Sequence, residues 1–315
     1  LIGMAAQHLV ILGGTGFVGS HLVPRLAADG HRIVLLSRNR EQHRELGVLP
    51  NVSVRSADVY DDSALRDAFA GADAVINLVG ILNTSGTHTF ERAHVDLTRR
   101  VIAACHASDV PRLHQMSSLK AGHGLSQYLK TRGEAESLVK ASSLDWTIYQ
   151  PSVIFGPGDG LVSRFASLLK KLPVFPLARA RSRMAPTYVG DVSEAIARCV
   201  SSDKLGKRCS FELYGPEVLT LGEIVRKISE AAGLKRTIIA LPDSLGRVQA
   251  QVAGLLPGKP FSLDNFLSLR TDSVGKTDGY AALGITPQPF TPWLPRLLHG
   301  SPLQHRLNGA RATRR

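Results

Sequence analysis

The stretch HLVILGGTGFVG, residues 8–19, constrains this chain more than any other. Four large apolar residues in a row, Leu9 to Leu12, run into glycines at 13, 14, 16 and 19, and a helical pattern follows at once. An uninterrupted apolar run is how a strand covered on both faces is written. A glycine-rich turn between such a strand and a helix lets backbone N–H groups approach a phosphate at the helix N-terminus. The spacing satisfies G-x-G-x-x-G: Gly13 or Gly14 permits the tight turn, Gly16 admits a pyrophosphate, and Gly19 lets helix and strand pack closely. Thr15, Phe17 and Val18 complete the backbone of the loop. The segment predicts a dinucleotide site in a parallel α/β fold.

The next 140 residues repeat the same rhythm. Strands are expected at 8–13, 32–37, 52–55, 74–80, 113–118 and 146–150, and helices at 17–29, 62–70, 88–108 and 125–140. Alternation of strands with longer amphipathic stretches predicts a doubly wound parallel sheet with helices on both faces. Asp61 or Asp62 is expected to cap the second helix, Gly30 and Gly71 to stop the first two, and Pro24 to kink the first. After Pro151 the rhythm breaks into the turns of FGPGDG (155–160) and a basic helix ending in KKLP. A helix at 191–200, capped by Asp191, and a strand at 210–215 are expected to return to the sheet. The expected organisation is a dinucleotide-binding core over 4–154 joined by 187–215, a smaller substrate or partner lobe over 155–186 and 216–300, and a basic flexible tail over 301–315. Leu1 to Gly3 precede Met4, the expected natural start.

Further along the sheet the strand ends suggest which dinucleotide is bound. Where an NAD-specific site would carry Asp or Glu for the ribose hydroxyls, the second strand ends in LLSRNR. Ser37, Arg38 and Arg40 offer a hydroxyl and positive charge with no carboxylate, which favours a 2′-phosphate and hence NADP(H) over NAD(H). Asp58 can accept from an adenine amino group and Val59 can pack on the ring. The fourth strand ends in NLVG, so Leu78, Val79 and Gly80 would lie along the cofactor, with Gly80 allowing it close to the backbone.

Composition excludes several classes. The formal charge of +12 invites anionic partners, and five arginines with no acid lie between Ala281 and Arg315, a distribution suited to an anionic membrane surface. No nucleic-acid reading module accompanies the charge, so nucleic acid is not an expected partner. Three cysteines without paired spacing imply a reducing compartment, and the expected location is cytoplasmic, peripheral on the inner face of a membrane. The N-terminal apolar run lacks a basic start and a cleavage site, so it reads as a core strand and not a signal peptide. No apolar run is long enough for a membrane-spanning helix. Scattered histidines, including His88, His94, His106, His114 and His123, have no metal-ligand spacing, and no metal is expected.

SQYLKTRGEAE, residues 126–136, sets Tyr128 one helical turn before Arg132, on one helical face, while Lys130 points elsewhere. Together with GGTGFVGSHLV, ADVYDDSALRDAFAGADAVINLVGIL, RLHQMSS, QPSVIFGPGDG, PTYVGDVSEAI and ELYGPEVLT, this stretch resembles the extended and atypical short-chain dehydrogenase/reductases. The likeness is closest to the branch containing the NAD(P)H-binding accessory subunit of respiratory complex I and its bacterial relatives. It covers roughly residues 8–290. In catalytic members a Tyr-x-x-x-Lys pair handles the proton while hydride moves at the nicotinamide, the lysine also holds the nicotinamide ribose, and a Ser or Thr after the fifth strand holds the substrate oxygen. The resemblance therefore implies that Tyr128 is the acid/base, that Arg132 stands where the lysine would be, and that Ser118 or Ser117 is the hydroxyl residue. Pro151 and Val153 would position the nicotinamide amide.

Arginine keeps a permanent positive charge beside the phenol and can still bond a ribose, but it never releases its proton and cannot relay one. Two readings follow. One is a binding and assembly protein that holds NADP(H) as a structural or sensing ligand and associates with a respiratory membrane complex. The other is an NADP(H)-dependent oxidoreductase, or an epimerase or dehydratase, acting on a carbonyl or quinone-like substrate through Tyr128.

Overall fold

The computed structural model describes residues 6–38, 46–202, 204–255 and 261–299; Met4, Arg40 and the 301–315 tail lie outside them. The strands are β1 (His8–Leu12), β2 (Arg32–Ser37), β3 (Val52–Ser56), β4 (Ala74–Asn77), β5 (Arg112–Met116), β6 (Asp145–Pro151), β7 (Ile154–Phe155), β8 (Val174–Leu177), β9 (Arg183–Met184), β10 (Thr187–Tyr188), β11 (Cys209–Leu213), β12 (Leu219–Thr220) and β13 (Thr237–Ala240). The helices are α1 (Phe17–Ala28), α2 (Asp62–Phe69), α3 (Leu97–Ala107), α4 (Gln127–Ala141), α5 (Gly160–Lys171), α6 (Val189–Val200), α7 (Leu221–Ala231), α8 (Asp243–Leu255), α9 (Leu263–Ser268), α10 (Gly279–Ala282) and α11 (Leu294–His299).

Seven strands form one parallel sheet in the order β11-β6-β5-β4-β1-β2-β3. The pleat sends alternate residues to opposite faces. Leu9, Ile11, Ile33 and Leu35 pack with α1 and α6, whereas Val10, Leu12, Val34 and Leu36 pack with α2, α3 and α4. Both faces are therefore covered, as the continuous apolar runs require. The chain leaves β1 in one direction toward β3 and later in the other toward β11, so the strand order reverses between β1 and β4. In an open α/β sheet the crevice at that point, beyond the carboxyl ends of the strands, is where ligands sit.

A separate apolar cluster joins Phe155, Val162 and Leu169 to Ile224, Val225 and Ile228, with Phe290 and Leu294 closing it. A smaller one joins Ala178, Ala250 and Phe266. These clusters lie over the carboxyl side of β5 and β6 and form the wall of the cavity described below.

Several local expectations are modified. β4 stops at Asn77, not at residue 80, because the Asn77 side chain accepts the Val79 N–H at 3.2 Å and turns the chain out of the sheet. The expected 88–108 helix opens with a π-helical turn, Glu91–Asp96, before α3. Asp61, not Asp62, caps α2, accepting the Ser63 and Ala64 N–H groups. Gly30 and Gly71 both have positive φ just past their helices, and α1 runs on through Pro24 to Ala28. Asp191 does not cap its helix: Tyr188 occupies that position, and the buried Asp191 carboxylate accepts the Gln288 N–H at 2.7 Å.

Candidate active site

The turn after β1 carries the tightest backbone contacts of the site. Gly13 has φ +74, where only glycine is unstrained, and a Cβ there would stand 3.1 Å from the backbone of Leu78 and Val79. A Cβ at Gly14 would meet Leu35 at 2.7 Å, and one at Gly19 would come within 2.3 Å of the Gly14 carbonyl. Gly16 occupies the N-cap of α1 and brings no side-chain acceptor, so the first N–H groups of α1, from Phe17 onward, are left for an external anion. Thr15 sits in this same turn, and Val18, in the first turn of α1, packs against the core on the α1 face of the sheet.

At the end of β2, Ser37 is buried and Arg38 is exposed, with Arg38 Nη1 3.4 Å from His88 Nε2. The Arg92 guanidinium stacks 4.2 Å above the Tyr60 ring, and the positive charges of Arg92 and Arg38 both act on that phenol, against the burial that raises its pKa. His88, Arg92 and Tyr60 were not singled out by sequence, because they come from two separate segments; together with Arg38 they make a cationic corner. Asp58 is exposed beside it, its carboxylate accepting the Tyr60 N–H at 3.0 Å, and Val59 packs inward.

The centre of the site is built by α4. Ser126 caps it through the Leu129 N–H, and a second acceptor, the Asp264 carboxylate of α9, takes the Gln127 and Tyr128 N–H groups at 2.6 and 3.2 Å. Two acceptors at one helix N-terminus satisfy its free donors and place negative charge where the helix dipole favours it. Tyr128 is half-buried and Arg132 is 5% exposed, with the guanidinium carbon 5.5 Å from the phenol ring centre. Arg132 Nη1 donates to the Met116 carbonyl at 2.9 Å, and a Cβ at residue 80 would lie 2.1 Å from Nη2, so the absence of a side chain at Gly80 is what makes room for the guanidinium.

The two serines after β5 separate cleanly. Ser117 Oγ donates to Glu136 Oε1 at 2.6 Å, inside a cluster completed by Gln150 and Lys140. Ser118 Oγ is buried without a hydrogen-bond partner and lines the same cavity as Tyr128. A buried hydroxyl left unpaired costs about 1–3 kcal/mol, so it marks a place where a ligand atom completes the bonding. The structure thus brings Ser118, Tyr128, Pro151 and Val153 to one cavity and turns Ser117 away from it.

His94, in the π-helical turn, is the residue the sequence concealed most thoroughly. Its ring is edge-on to Tyr128 with centroids 5.5 Å apart, and Nδ1 lies 2.8 Å from Thr131 Oγ1. Thr131 already donates to the Gln127 carbonyl at 2.8 Å, so Nδ1 carries the proton and Nε2 is a bare acceptor, buried and unpartnered. Burial, with the Arg132 charge second, pushes the imidazole down to about 2, and it is neutral. Among the described residues no group of three His, Cys, Asp or Glu side chains is arranged to hold a metal.

The cavity has a volume of about 530 Å³. Beyond Ser118 and Tyr128 the wall is mostly apolar, with Phe165, Phe175, Met184, Leu221 and Leu269, and is interrupted by polar groups such as Arg164, Arg183, Gln249 and Asn265.

A glycine turn at the switch point of a doubly wound sheet, in a chain whose Ser118 and Tyr128 share one cavity, is the arrangement of a nicotinamide-dinucleotide protein of the short-chain dehydrogenase/reductase kind. The NAD(P)H-binding family profile matches residues 13–163. The chain belongs to this NAD(P)H-binding family, and the similarity extends beyond the matched region. It is 30% identical over 239 residues to the ceramide reductase of Caulobacter vibrioides, covering 75% of this chain and 74% of that protein. It is 26% identical over 257 residues to the mitochondrial NADH-ubiquinone oxidoreductase 40 kDa subunit of Neurospora crassa, covering 80% of this chain and 67% of the relative. Its fold is also that of the NADPH-dependent quinone oxidoreductase QOR2 of Escherichia coli, solved with NADPH, at a TM-score of 0.74 and 21% identity over 92% of this chain and 99% of that one.

Proposed function

We propose that this protein is an NADP(H)-dependent reductase acting on a carbonyl carried by an apolar, lipid-like substrate. The observation that carries this reading is the unpaired, buried Ser118 hydroxyl lining, with Tyr128, a cavity whose wall is mostly apolar. A carbonyl oxygen seated there accepts from Ser118, and Tyr128 donates the proton that turns it into a hydroxyl. The bound dinucleotide supplies the hydride. Arg132, fixed on the Met116 carbonyl, holds a charge beside the phenol and toward the ribose without exchanging a proton. Because Tyr128 is half-exposed, its proton returns from solvent. The dinucleotide lies along Gly13, Gly14, Thr15, Gly16, Phe17, Val18 and Gly19, with Asp58 and Val59 at the adenine, Leu78 to Gly80 along its length, and Pro151 and Val153 at the nicotinamide. Ser37 and Arg38, joined by His88 and Arg92, receive the 2′-phosphate and favour NADP(H). The ceramide reductase relative, whose name specifies a lipid, supports the apolar substrate class.

A second reading is favoured by Arg132 in the lysine position and by relatives named as respiratory complex subunits: the cofactor stays bound without turnover, and the protein works within a membrane complex, peripheral to its inner face. One experiment separates the two. Protein loaded with NADPH is mixed with a long-chain 3-keto lipid while the nicotinamide absorbance is followed. The reductase reading expects decay that is abolished in Tyr128→Phe, with NADPH affinity kept within about threefold of wild type, since the phenolic oxygen acts on the reacting oxygen and not on the dinucleotide. Cofactor that remains reduced across a panel of keto lipids and quinones favours the second reading. Full activity in the Tyr128→Phe variant removes the tyrosine mechanism.

A further inference from the structure

α8 is inside out for a surface helix. Its buried positions are the small residues Gly246 and Ala250, whereas Leu245, Val248, Val252 and Leu255 are 55%, 53%, 58% and 87% exposed. Their spacing of three, four and three places all four on one outward stripe. The opposite side of the helix is held firmly in place. Gln249 accepts the Ala178 N–H at 3.2 Å and donates to the Pro176 carbonyl at 2.8 Å, and Gln249 and Ala253 line the apolar cavity. The stripe therefore adjoins the cavity through a single helix.

Two further apolar residues are exposed at the rim of that cavity. Leu82 and Leu172 line the cavity and are also 67% and 40% exposed. Cationic side chains flank this apolar surface: Lys170 and Lys171 stand exposed in the last turn of α5 immediately before Leu172, and Arg247 is exposed on α8. The one carboxylate of α8, Asp243, is engaged by Arg179 at 2.7 and 2.8 Å.

We infer that the outward stripe of α8 and the adjoining cavity rim form a docking face for an anionic lipid bilayer. An aliphatic stripe bordered by lysine and arginine is the pattern of a helix that lies in the headgroup region, where the side chains enter the acyl boundary and the cations meet anionic headgroups. Among the described residues no helix is long and apolar enough to cross a membrane, so the contact is made from one side. Protein interfaces favour aromatic anchors, and this stripe is purely aliphatic, with none. That the docked cavity takes its substrate from the bilayer rests on the reductase reading; the docking itself does not.

The test is co-sedimentation of the full chain with phosphatidylcholine vesicles made with and without phosphatidylglycerol. Wild type is expected to bind the anionic vesicles, more weakly at high salt. The Val248→Gln/Val252→Gln variant is expected to lose at least about tenfold in partitioning, because two apolar side chains no longer enter the bilayer. Lys170→Glu/Lys171→Glu should weaken binding to the anionic vesicles selectively. NADPH affinity, measured on every variant, reports an intact fold. The inference is overturned if wild type does not bind, or if the double glutamine variant binds as wild type does, which would move the contact to another part of the chain. It is also overturned if sedimentation velocity shows a stable dimer that the glutamines dissociate, since a second copy would then cover the stripe. Binding is read without substrate, so vesicle binding with no keto-lipid turnover sinks only the reductase reading, and the converse sinks only the docking face.

Discussion

At the scale of single residues, the cationic corner around Tyr60 makes the sharpest prediction. Arg38 is exposed and lies 3.4 Å from His88, and under the proposed reading it receives the 2′-phosphate. A charge-assisted bond of this kind contributes about 1.5–3 kcal/mol, so Arg38→Ala should weaken NADPH by roughly 10–100-fold and NADH by less than about twofold. Isothermal titration with both dinucleotides checks it, and equal losses would remove Arg38 from the phosphate. Arg38 was legible because it ends a strand at a position where the acidic alternative would have been equally visible. Arg92 and His88 were not, since nothing local in the sequence ties them to Tyr60. His94 shows the same limit. It read as one scattered histidine among several, and only the π-helical turn, which shifts its side chain relative to a regular helix, sets it against Tyr128.

At the scale of elements, α4 depends on a neighbour distant in sequence. Asp264 of α9 accepts two N–H groups at the start of α4 and so fixes the turn that carries Tyr128. Asp264→Ala should cost about 0.5–2 kcal/mol in urea unfolding and lower kcat for keto-lipid reduction several-fold, with NADPH affinity within about twofold, because the dinucleotide loop belongs to α1. A kcat unchanged beside a lowered stability would reduce Asp264 to a purely structural cap. Strands were the most readable elements. β2 occupies the expected 32–37, and β1, β3, β5 and β6 fall within a residue or two of expectation. β3 alternates buried Val52 and Val54 with exposed Ser53 and Arg55, whereas β1 and β2, buried on both faces, are written as nearly unbroken apolar sequence. β4 was overextended for the same reason: Leu78 and Val79 are as apolar as a strand, and the side chain of Asn77, not hydropathy, ends the ladder. The inverted pattern of α8 could not be seen beforehand, since periodicity reveals that a helix has an apolar stripe and not which way it faces.

At the scale of the whole molecule, the cavity was the least legible feature, for its wall gathers residues from Leu82 to Ser273, brought together only by the packed clusters outside the sheet. The buried histidines act at this scale too. His94 is held near 2 by burial and Arg132, and His114, fully enclosed beside Tyr149, is lowered well below its ordinary value by burial and Arg112. In the unfolded chain both imidazoles bind a proton below about pH 6.5, while the folded protein leaves them neutral. Stability is therefore complete above about pH 6.5 and falls as the pH drops, by about 1.4 kcal/mol per pH unit for each histidine. His94→Asn should flatten that acid limb by one such increment in urea melts between about pH 4.5 and 7, and an unchanged slope would place the proton uptake elsewhere. The sheet order has one more consequence, and it concerns synthesis. β1 emerges first yet ends in the middle, and β6 cannot receive its outer neighbour until Cys209–Leu213 has been made. While residues 152–208 are being translated, the nascent chain carries β6, with its buried Trp146, Ile148 and Tyr149, as an open edge. Such an edge can pair with another unfinished copy until β11 is made and covers it.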